Sequence, residues 1–186
     1  MRKLKLQVQV SVDGFIAGPG GEMDWMIFEW DDALKNYVDG ITRPVDCILL
    51  GRRLAEGFIP HWASEPEGED PESIAKFNST KKVVFTQTLE ESAWPNTTLA
   101  KGDLSEEIAQ LKRAPGGDLI AYGGGTFVSS LIRHGLVDEF HLFVNPVALG
   151  SGMPIFEDLD ARQRLVLEEA RAFACGIALL RYRRAA

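Results

Sequence analysis

The chain has 186 residues, of which 45% are hydrophobic and 25% are charged, so we expect one domain with a substantial core over residues 1–186. The net charge of −7 argues against a nucleic-acid surface, and no apolar stretch reaches the length of a membrane span. We therefore predict a cytoplasmic domain whose partner is a small molecule rather than nucleic acid or a membrane.

Predicted strands and helices alternate along most of the chain. Strands are predicted where apolar residues alternate or form short runs, at 4–12, 45–50, 82–86, 97–100, 119–122, 139–147, 164–169 and 177–182. Helices are predicted where apolar residues recur at helical spacing, at 30–38, 54–58, around 74–77, 103–112 and 126–134. The acidic, proline-rich segment 60–71 is predicted to be a surface loop.

This order predicts an α/β fold with a largely parallel sheet and an antiparallel pair of strands added at its C-terminal edge. The strand at 139–147 contains Pro146, which favours an edge or a bulge. Two cysteines, Cys47 and Cys175, lie inside apolar runs and are expected to be small buried hydrophobic residues.

A strand that ends in three glycines is the most informative motif. The segment 119–122 leads into Gly123, Gly124 and Gly125, and the helix with Thr126 in its first turn follows at once. Glycines permit positive φ and close approach to the backbone, and the helix start offers free N–H groups to a phosphate. The motif indicates a bound nucleotide, although a strand–helix turn that binds nothing has the same sequence.

Two other predicted strands also end in residues suited to binding. Gly51, Arg52 and Arg53 follow one of them, and Thr86 and Gln87 follow the other. Because ligands of open α/β sheets bind beyond the carboxyl ends of strands, these residues and the glycines could form one dinucleotide site. An arginine beside the ribose favours NADP over NAD. The alternative is that both arginines are solvated cations at a helix start.

The glycine-rich loop near residue 20 leads to candidate substrate residues. Trp25 could lie over a flat substrate, and Glu29 and Asp32, three residues apart on the predicted helix, could hold a substrate N–H or deliver a proton. The alternatives are that Trp25 anchors the helix to the core and that both carboxylates only complement the helix dipole.

Taken together, these segments resemble the dihydrofolate-reductase-like superfamily, and in particular the C-terminal reductase domain of bacterial riboflavin biosynthesis. The matching segments are 11–17, 24–25, 46–52, 122–126 and 137–152. The resemblance implies a three-layer fold around a mixed, mostly parallel eight-stranded sheet. It also implies hydride transfer from NADPH to a small nitrogen heterocycle or an imine-like carbon.

The resemblance also assigns roles to individual residues. It implies that Gly51 and Arg52 hold the adenosine end with its 2′-phosphate, that Thr86 and Gln87 lie beside that phosphate, and that Ala17 borders the nicotinamide. The glycines and Thr126 match the pyrophosphate turn, and Trp25 matches an aromatic position over the active site. The chain departs from the riboflavin reductases at Gln7, where they carry lysine, and in the acidic loop, which disfavours a ribosyl-phosphate substrate.

We therefore predict an NADPH-dependent reductase, resembling either the aminouracil reductase of the riboflavin pathway or dihydrofolate reductase. The competing hypothesis is a non-catalytic nucleotide-binding or sensor protein that retains the cofactor cleft.

A homodimer is expected through the apolar segment 140–147 if that segment is an exposed edge. Within one chain, the C-terminal strands could cover it instead.

Overall fold

The computed structural model describes residues 1–185 of the chain. Its elements follow one another in the order β1 Leu4–Ser11, β2 Phe15–Ala17, α1 Asp32–Thr42, β3 Val45–Gly51, α2 Arg52–Ala63, α3 Pro71–Ser79, β4 Lys81–Phe85, β5 Thr97–Ala100, α4 Leu104–Arg113, β6 Asp118–Tyr122, α5 Gly125–Arg133, β7 Glu139–Asn145, β8 Met153–Pro154, β9 Leu165–Ala172 and β10 Ala178–Arg184. Within the described residues, no helix is long and apolar enough to cross a membrane.

One eight-stranded sheet organises the molecule, with the strand order β5-β4-β3-β6-β1-β7-β10-β9. The six strands from β5 to β7 are parallel to their neighbours, and β10 is antiparallel to both β7 and β9. The predicted α/β class, mostly parallel sheet and antiparallel C-terminal pair are therefore confirmed. The short strands β2 and β8, which form a separate ribbon, were not predicted.

The alternation of apolar and polar side chains along β1 shows how the three layers form. Its apolar side chains belong to the core beneath α4 and α5, which contribute Ile108 and Val128. On the opposite face, Ile59 of α2 packs against β3 and β6, and Leu34 of α1 packs against Phe143 of β7. The two helices thus cover the strands on either side of β1 and leave its own polar face between them. We call this space the central groove; of the polar side chains on this face of β1, Gln7 and Gln9 are partly exposed, whereas Lys5 and Ser11 are buried.

The prediction that residues 139–147 form an edge strand is wrong. β7 pairs with β1 on one side and with β10 on the other, so the C-terminal strands cover it. Pro146 follows the last residue of β7, where the strand has ended and no backbone N–H is needed.

Two helix predictions also need correction. α2 continues through Pro60 to Ala63, beyond the predicted end at residue 58, because Ile59 and Trp62 pack against the neighbouring core. α1 begins at Asp32, so Glu29 precedes the helix and the two carboxylates do not share a helical face.

The two cysteines are free thiols. Cys47 is buried in the core, as predicted, whereas Cys175 is only partly buried.

Candidate cofactor and substrate site

The three strand ends that the sequence singles out lie side by side. The strands β4, β3 and β6 are consecutive in the sheet, and their carboxyl ends lead to Thr86, Arg52 and the glycine turn respectively. Parallel strands bring these ends to one edge of the sheet, where ligands of open α/β sheets bind. The structure therefore places the predicted cofactor residues along a single continuous edge.

The glycine turn has the conformation that its sequence predicts. Gly123 and Gly124 have φ angles of 46° and 87°, in the left-handed region that disfavours other residues. Gly124 is the N-cap of α5, and no side chain caps the helix, so its first N–H groups lack a side-chain acceptor. Gly125 opens the helix and Thr126 is exposed in its first turn. These N–H groups and the helix dipole suit an anion.

Gly51 has a packing role that the sequence did not reveal. A Cβ atom added at Gly51 would lie 2.8 Å from the Cβ of Phe127, in the first turn of α5. The absence of a side chain therefore allows the end of β3 to touch the start of α5. This contact places Arg52, the next residue, beside the glycine turn.

Arg52 and Arg53 occupy the first turn of α2. Arg52 Nη1 donates to Glu56 Oε1 at 2.7 Å, so a carboxylate one helical turn away balances its charge. About a third of the Arg52 side chain remains exposed, and Arg53 is exposed. A ligand phosphate at this edge would compete with Glu56 for the Arg52 guanidinium.

Thr86 and Gln87 shape the loops at this edge. The buried Thr86 hydroxyl accepts hydrogen bonds from the backbone N–H groups of Thr88 and Leu89, both at 3.1 Å. Gln87 Nε2 donates to the carbonyl oxygen of Lys101 at 3.1 Å, which joins the loops that follow β4 and β5. Both side chains thus hold the loop beside the candidate phosphate site.

The loop that carries Ala17 lies against a segment that the sequence interpretation missed. β2 pairs with β8, and a Cβ at Gly152 would collide with the carbonyl oxygen of Ala17. Met153 of β8 also reaches the glycine turn, since a Cβ placed on Gly125 would lie 3.9 Å from its sulfur. The structure therefore brings the loop of Ala17 close to the glycine turn through Met153. A two-residue strand has no readable periodicity, so nothing in the pattern pointed to it.

Asp13 fastens the turn after β1 to the segment that precedes β8. Its carboxylate accepts hydrogen bonds from the Ser11 hydroxyl at 2.7 Å and from the backbone N–H groups of Leu149 and Gly150. The Ser11 hydroxyl, followed by the Gly150 N–H, lowers the pKa of Asp13 to about 2. These bonds favour the ionised carboxylate.

We predict that Asp13→Asn lowers the thermal unfolding midpoint near neutral pH and that this difference shrinks in acid. The pKa of Asp13 lies below its ordinary value of 3.8, so its contribution is present above about pH 4 and disappears as the pH falls toward 2. Thermal unfolding of both proteins between pH 6 and pH 3 measures the effect. A difference that stays constant over this range would contradict it.

The candidate substrate residues lie in the segment that leads into α1, which is tied to the end of β7 because the Ile27 backbone N–H donates to Asn145 Oδ1 at 2.8 Å. Trp25 donates through Nε1 to the carbonyl oxygen of Glu22, so its indole is held by the loop itself. Glu29 and Asp32 are both exposed. The acid that organises this region is Asp31, which caps α1 and also accepts from the backbone N–H of Cys175. Sequence interpretation places Asp31 in the first turn of the helix and does not identify it as the cap.

Aromatic side chains pack against the sheet on both sides of β1, beneath α2 and beneath α1. On the α2 side, Phe58 and Tyr122 have ring centroids 5.7 Å apart, and burial raises the pKa of the Tyr122 phenol. On the α1 side, Trp30 stacks on Phe143 at 6.4 Å, and Tyr37 packs edge-on against the same ring at 6.0 Å. A polar floor between aromatic walls suits a flat, partly polar molecule.

A surface cavity of about 580 Å³ lies at the opposite edge of the sheet, near Arg2, Lys112 and Gly117. Two of its cationic side chains are already engaged, because Arg2 pairs with Asp46 and Lys112 Nζ lies 2.6 Å from Asp138. We place the candidate site at the carboxyl edge instead, where glycine-rich turns and free helix N–H groups converge.

Comparison with known proteins identifies the family. Residues 2–179 match the family model described as the RibD C-terminal domain. The chain belongs to the RibD C-terminal domain family. Two relatives occur in Bacillus subtilis (strain 168). The uncharacterized protein YyaP is 35% identical to this chain, and the match covers 97% of this chain and 94% of YyaP. The uncharacterized protein YwjB is 28% identical, and the match covers 96% of this chain and 96% of YwjB.

Solved structures show the same fold. A Shewanella sp. PV-4 protein provisionally assigned to riboflavin biosynthesis is 21% identical and matches with a TM-score of 0.76 over 100% of both chains. The diaminohydroxyphosphoribosylaminopyrimidine deaminase/5-amino-6-(5-phosphoribosylamino)uracil reductase of Thermotoga maritima is 18% identical, with a TM-score of 0.70 over 99% of this chain and 57% of its own. The predicted dihydrofolate-reductase-like fold is thus confirmed. Membership in the RibD C-terminal domain family supports an oxidoreductase at the level of the family.

Proposed function

We propose that this protein is an NADPH-dependent reductase that transfers hydride to a small nitrogen heterocycle or an imine-like carbon. The observation that carries the proposal is the arrangement of Arg52 and the glycine turn on neighbouring strand ends in a chain of the RibD C-terminal domain family. Two sites for phosphate at one edge suit a dinucleotide better than a mononucleotide.

The residues at this edge fit NADPH. The uncapped start of α5 would hold the pyrophosphate, and the absence of side chains at Gly123 and Gly124 leaves room for it. Arg52, with Arg53 beside it, would bind the 2′-phosphate, and Ala17 would border the nicotinamide. Bound NADPH supplies hydride, while the protein supplies position and electrostatics.

The central groove is the proposed substrate site. Its aromatic walls would hold a planar ring, and Trp25 on the neighbouring loop would cover the ring. Glu29 and Asp32 are the proposed proton-handling groups, because they are exposed carboxylates in the segment before α1 and at its first residue. A ribosyl-phosphate substrate is disfavoured, since Gln7 stands where the riboflavin reductases carry lysine, and the nearby Lys5 is buried and paired with Asp118 at 2.9 Å.

The deciding experiment follows NADPH absorbance in the presence of a panel of pyrimidines and pteridines. Substrate-dependent oxidation of NADPH supports the reductase. Tight binding of NADPH with no oxidation by any member of the panel would favour the competing hypothesis of a nucleotide sensor. Failure to bind NADPH at all would reject both.

We also propose a homodimer, through an edge other than the one first expected. Because β7 is interior, the edge strand on the C-terminal side of the sheet is β9, where Val166 is 36% and Leu167 is 52% exposed. An edge strand with exposed apolar side chains favours pairing with a second copy.

Light scattering at micromolar concentration should therefore give a mass twice the chain mass of 20.6 kDa. The variant Leu167→Lys should lower the measured mass toward that of a single chain. A single-chain mass for the wild type would reject the dimer. An unchanged dimer mass in folded Leu167→Lys would place the interface elsewhere. Phe143→Asp is unsuitable as a test, because Phe143 is buried in the core and its replacement would threaten the fold.

A further inference from the structure

A hydrogen bond between Tyr37 and His141 joins α1 to the interior of the sheet. His141 lies on β7 and is 1% exposed, and the Tyr37 hydroxyl lies 2.8 Å from its Nδ1. Its other ring nitrogen, Nε2, has no hydrogen-bond partner within residues 1–185 and lies 3.6 Å from Glu139 Oε2, which is longer than an ordinary hydrogen bond. One side of this buried imidazole thus contacts α1, and the other side faces a carboxylate.

The charged groups near His141 on β7 and β1 are already paired. Glu139 Oε1 accepts from Lys3 Nζ at 2.6 Å, and Lys5 Nζ lies 2.9 Å from Asp118. A surface cavity of about 320 Å³ borders Lys3 and Glu139. Solvent therefore reaches the carboxylate that faces His141, although the imidazole itself is buried.

The charged groups on β10 and β9 are paired as well. The register partner of His141 on β10 is Arg181, which lies 3.6 Å from Glu168 and 3.8 Å from Glu169. Glu168 also lies 3.3 Å from Arg183, and Arg171 lies over the ring of Phe173 at 4.9 Å. The cations of these strands are thus held by carboxylates or an aromatic ring, and none of them contacts the imidazole.

The two groups that flank His141 keep one protonation state over the range in which imidazoles ordinarily titrate. Burial raises the pKa of Tyr37 to about 12, so the phenol stays neutral. The adjacent imidazole, and after it the Lys3 ammonium, lowers the pKa of Glu139 to about 2 against the effect of burial, so the carboxylate stays ionised. Histidine is the side chain whose charge ordinarily changes between pH 5 and 8. His141 is therefore the member of this chain of three groups that can change its charge there.

The charge of His141 decides in which direction its hydrogen bond with Tyr37 runs. In a neutral imidazole whose proton is on Nε2, toward Glu139, Nδ1 accepts from the Tyr37 hydroxyl. In the imidazolium both nitrogens donate, so the hydroxyl must turn and accept. A hydrogen bond with one ionised partner is roughly twice as strong as a neutral one. Proton uptake by His141 therefore strengthens its bond to Tyr37.

We propose that Tyr37 and His141 form a pH-sensitive latch between α1 and the sheet, in which a proton taken up by His141 strengthens the bond that holds the helix. Another polar contact from this face of the sheet to α1, from Lys5 Nζ to the carbonyl oxygen of Ile41 at 3.1 Å, contains no imidazole. The latch acts on the helix that begins at Asp32 and does not depend on which cofactor or substrate the protein binds.

Nuclear magnetic resonance of the imidazole rings tests the latch. The chain has three histidines, and the exposed His61 and His134 serve as internal references. Titration from pH 5 to pH 8 compares the wild type, Tyr37→Phe and the control Tyr182→Phe, because Tyr182 packs on the opposite face of the sheet. Tyr37→Phe should lower the titration midpoint of His141 by about 0.5–1 pH unit, since the imidazolium loses the stronger bond. Tyr182→Phe should leave it unchanged, and the two references should not move in either variant.

Amide hydrogen exchange of α1 measures the same coupling from the side of the helix. Because coupling is reciprocal, Tyr37→Phe should speed exchange in Asp32–Thr42, relative to the wild type at the same pH, by about 3- to 10-fold more at pH 5 than at pH 8. Exchange in α4, on the other side of the sheet, should be the same in both proteins. An equal acceleration of α1 at the two pH values would overturn the latch.

The titration has outcomes that contradict the latch as well. An unchanged His141 midpoint in folded Tyr37→Phe would overturn it, as would equal shifts in Tyr37→Phe and Tyr182→Phe or a His141 that does not titrate between pH 5 and 8. The wild type alone provides a test if Tyr37→Phe does not fold. At pH 8 its nitrogen chemical shifts should place the His141 proton on Nε2. A proton on Nδ1 would mean that the hydroxyl accepts in both states, and the latch would be rejected.

Discussion

Replacing Gly124 with valine is expected to abolish NADPH binding while the protein remains folded. Gly124 has a φ of 87° and caps α5, where the pyrophosphate is proposed to lie against backbone N–H groups. A valine side chain would occupy that space. Loss of two charged hydrogen bonds, each worth about 1.5–3 kcal/mol, corresponds to an affinity loss of about 100-fold or more. Titration of NADPH measures the effect, and circular dichroism checks the fold.

Gly68→Val is the matched control for this experiment. Gly68 has a φ of 89° and lies in the loop before α3, and a Cβ there would meet nothing within 4 Å. At Gly124 the nearest atom would be Leu54 Cβ at 3.6 Å, an ordinary contact. Both variants should therefore lose similar stability from backbone strain, about 1–2 kcal/mol. Only Gly124→Val should lose the cofactor, and normal NADPH binding by this folded variant would reject the pyrophosphate site.

Arg52→Ala is expected to remove most of the preference for NADPH over NADH. A charged hydrogen bond to the 2′-phosphate contributes about 1.5–3 kcal/mol, or roughly 10- to 100-fold in affinity. Because Arg52 is already paired with Glu56 at 2.7 Å and is partly solvated, we expect a loss of about 10-fold, near the lower limit. Titrating both cofactors against the wild type and the variant measures it. Equal wild-type affinities for NADPH and NADH would reject the assignment.

The ion pair between Arg52 and Glu56 supplies a control with the opposite expected effect on NADPH affinity. Glu56→Gln removes the competing carboxylate and leaves the helix intact, so NADPH affinity should rise while NADH affinity stays constant. An equal change for both cofactors would mean that Glu56 acts on the fold of α2 rather than on the phosphate. An unchanged NADPH affinity would show that the guanidinium does not leave Glu56 on binding.

Much of the fold was predictable from the sequence because its elements carry strong local signals. The alternation of β1 and the apolar runs of β3 and β6 predict strands of the right kind, half buried or covered on both faces. The C-terminal pair β9 and β10 was predicted to be antiparallel because the last strands follow one another without a helix between them, and the structure confirms it. The three strand ends at the candidate site were also recognisable, since glycine, arginine and threonine follow apolar runs directly.

The error about the edge of the sheet arose because contacts distant in sequence decide which strands are covered. Nothing local shows that β10 returns to cover β7, and Pro146 pointed to an edge because its distance from the strand end was unknown. The helical-face argument for Glu29 failed because Asp31, rather than an earlier residue, caps α1 through the Leu34 N–H.

The contact between Gly51 and Phe127 makes the cofactor cleft part of the hydrophobic core. Phe127 also packs on Phe85, with ring centroids 4.9 Å apart, so one side chain joins the ends of β3 and β4 to the first turn of α5. The proposed 2′-phosphate and pyrophosphate contacts therefore cannot shift independently of each other. If these are the two phosphate sites, Phe127 sets their spacing, and a change in its volume should alter cofactor affinity at both ends together, although the side chain touches no cofactor atom in this proposal.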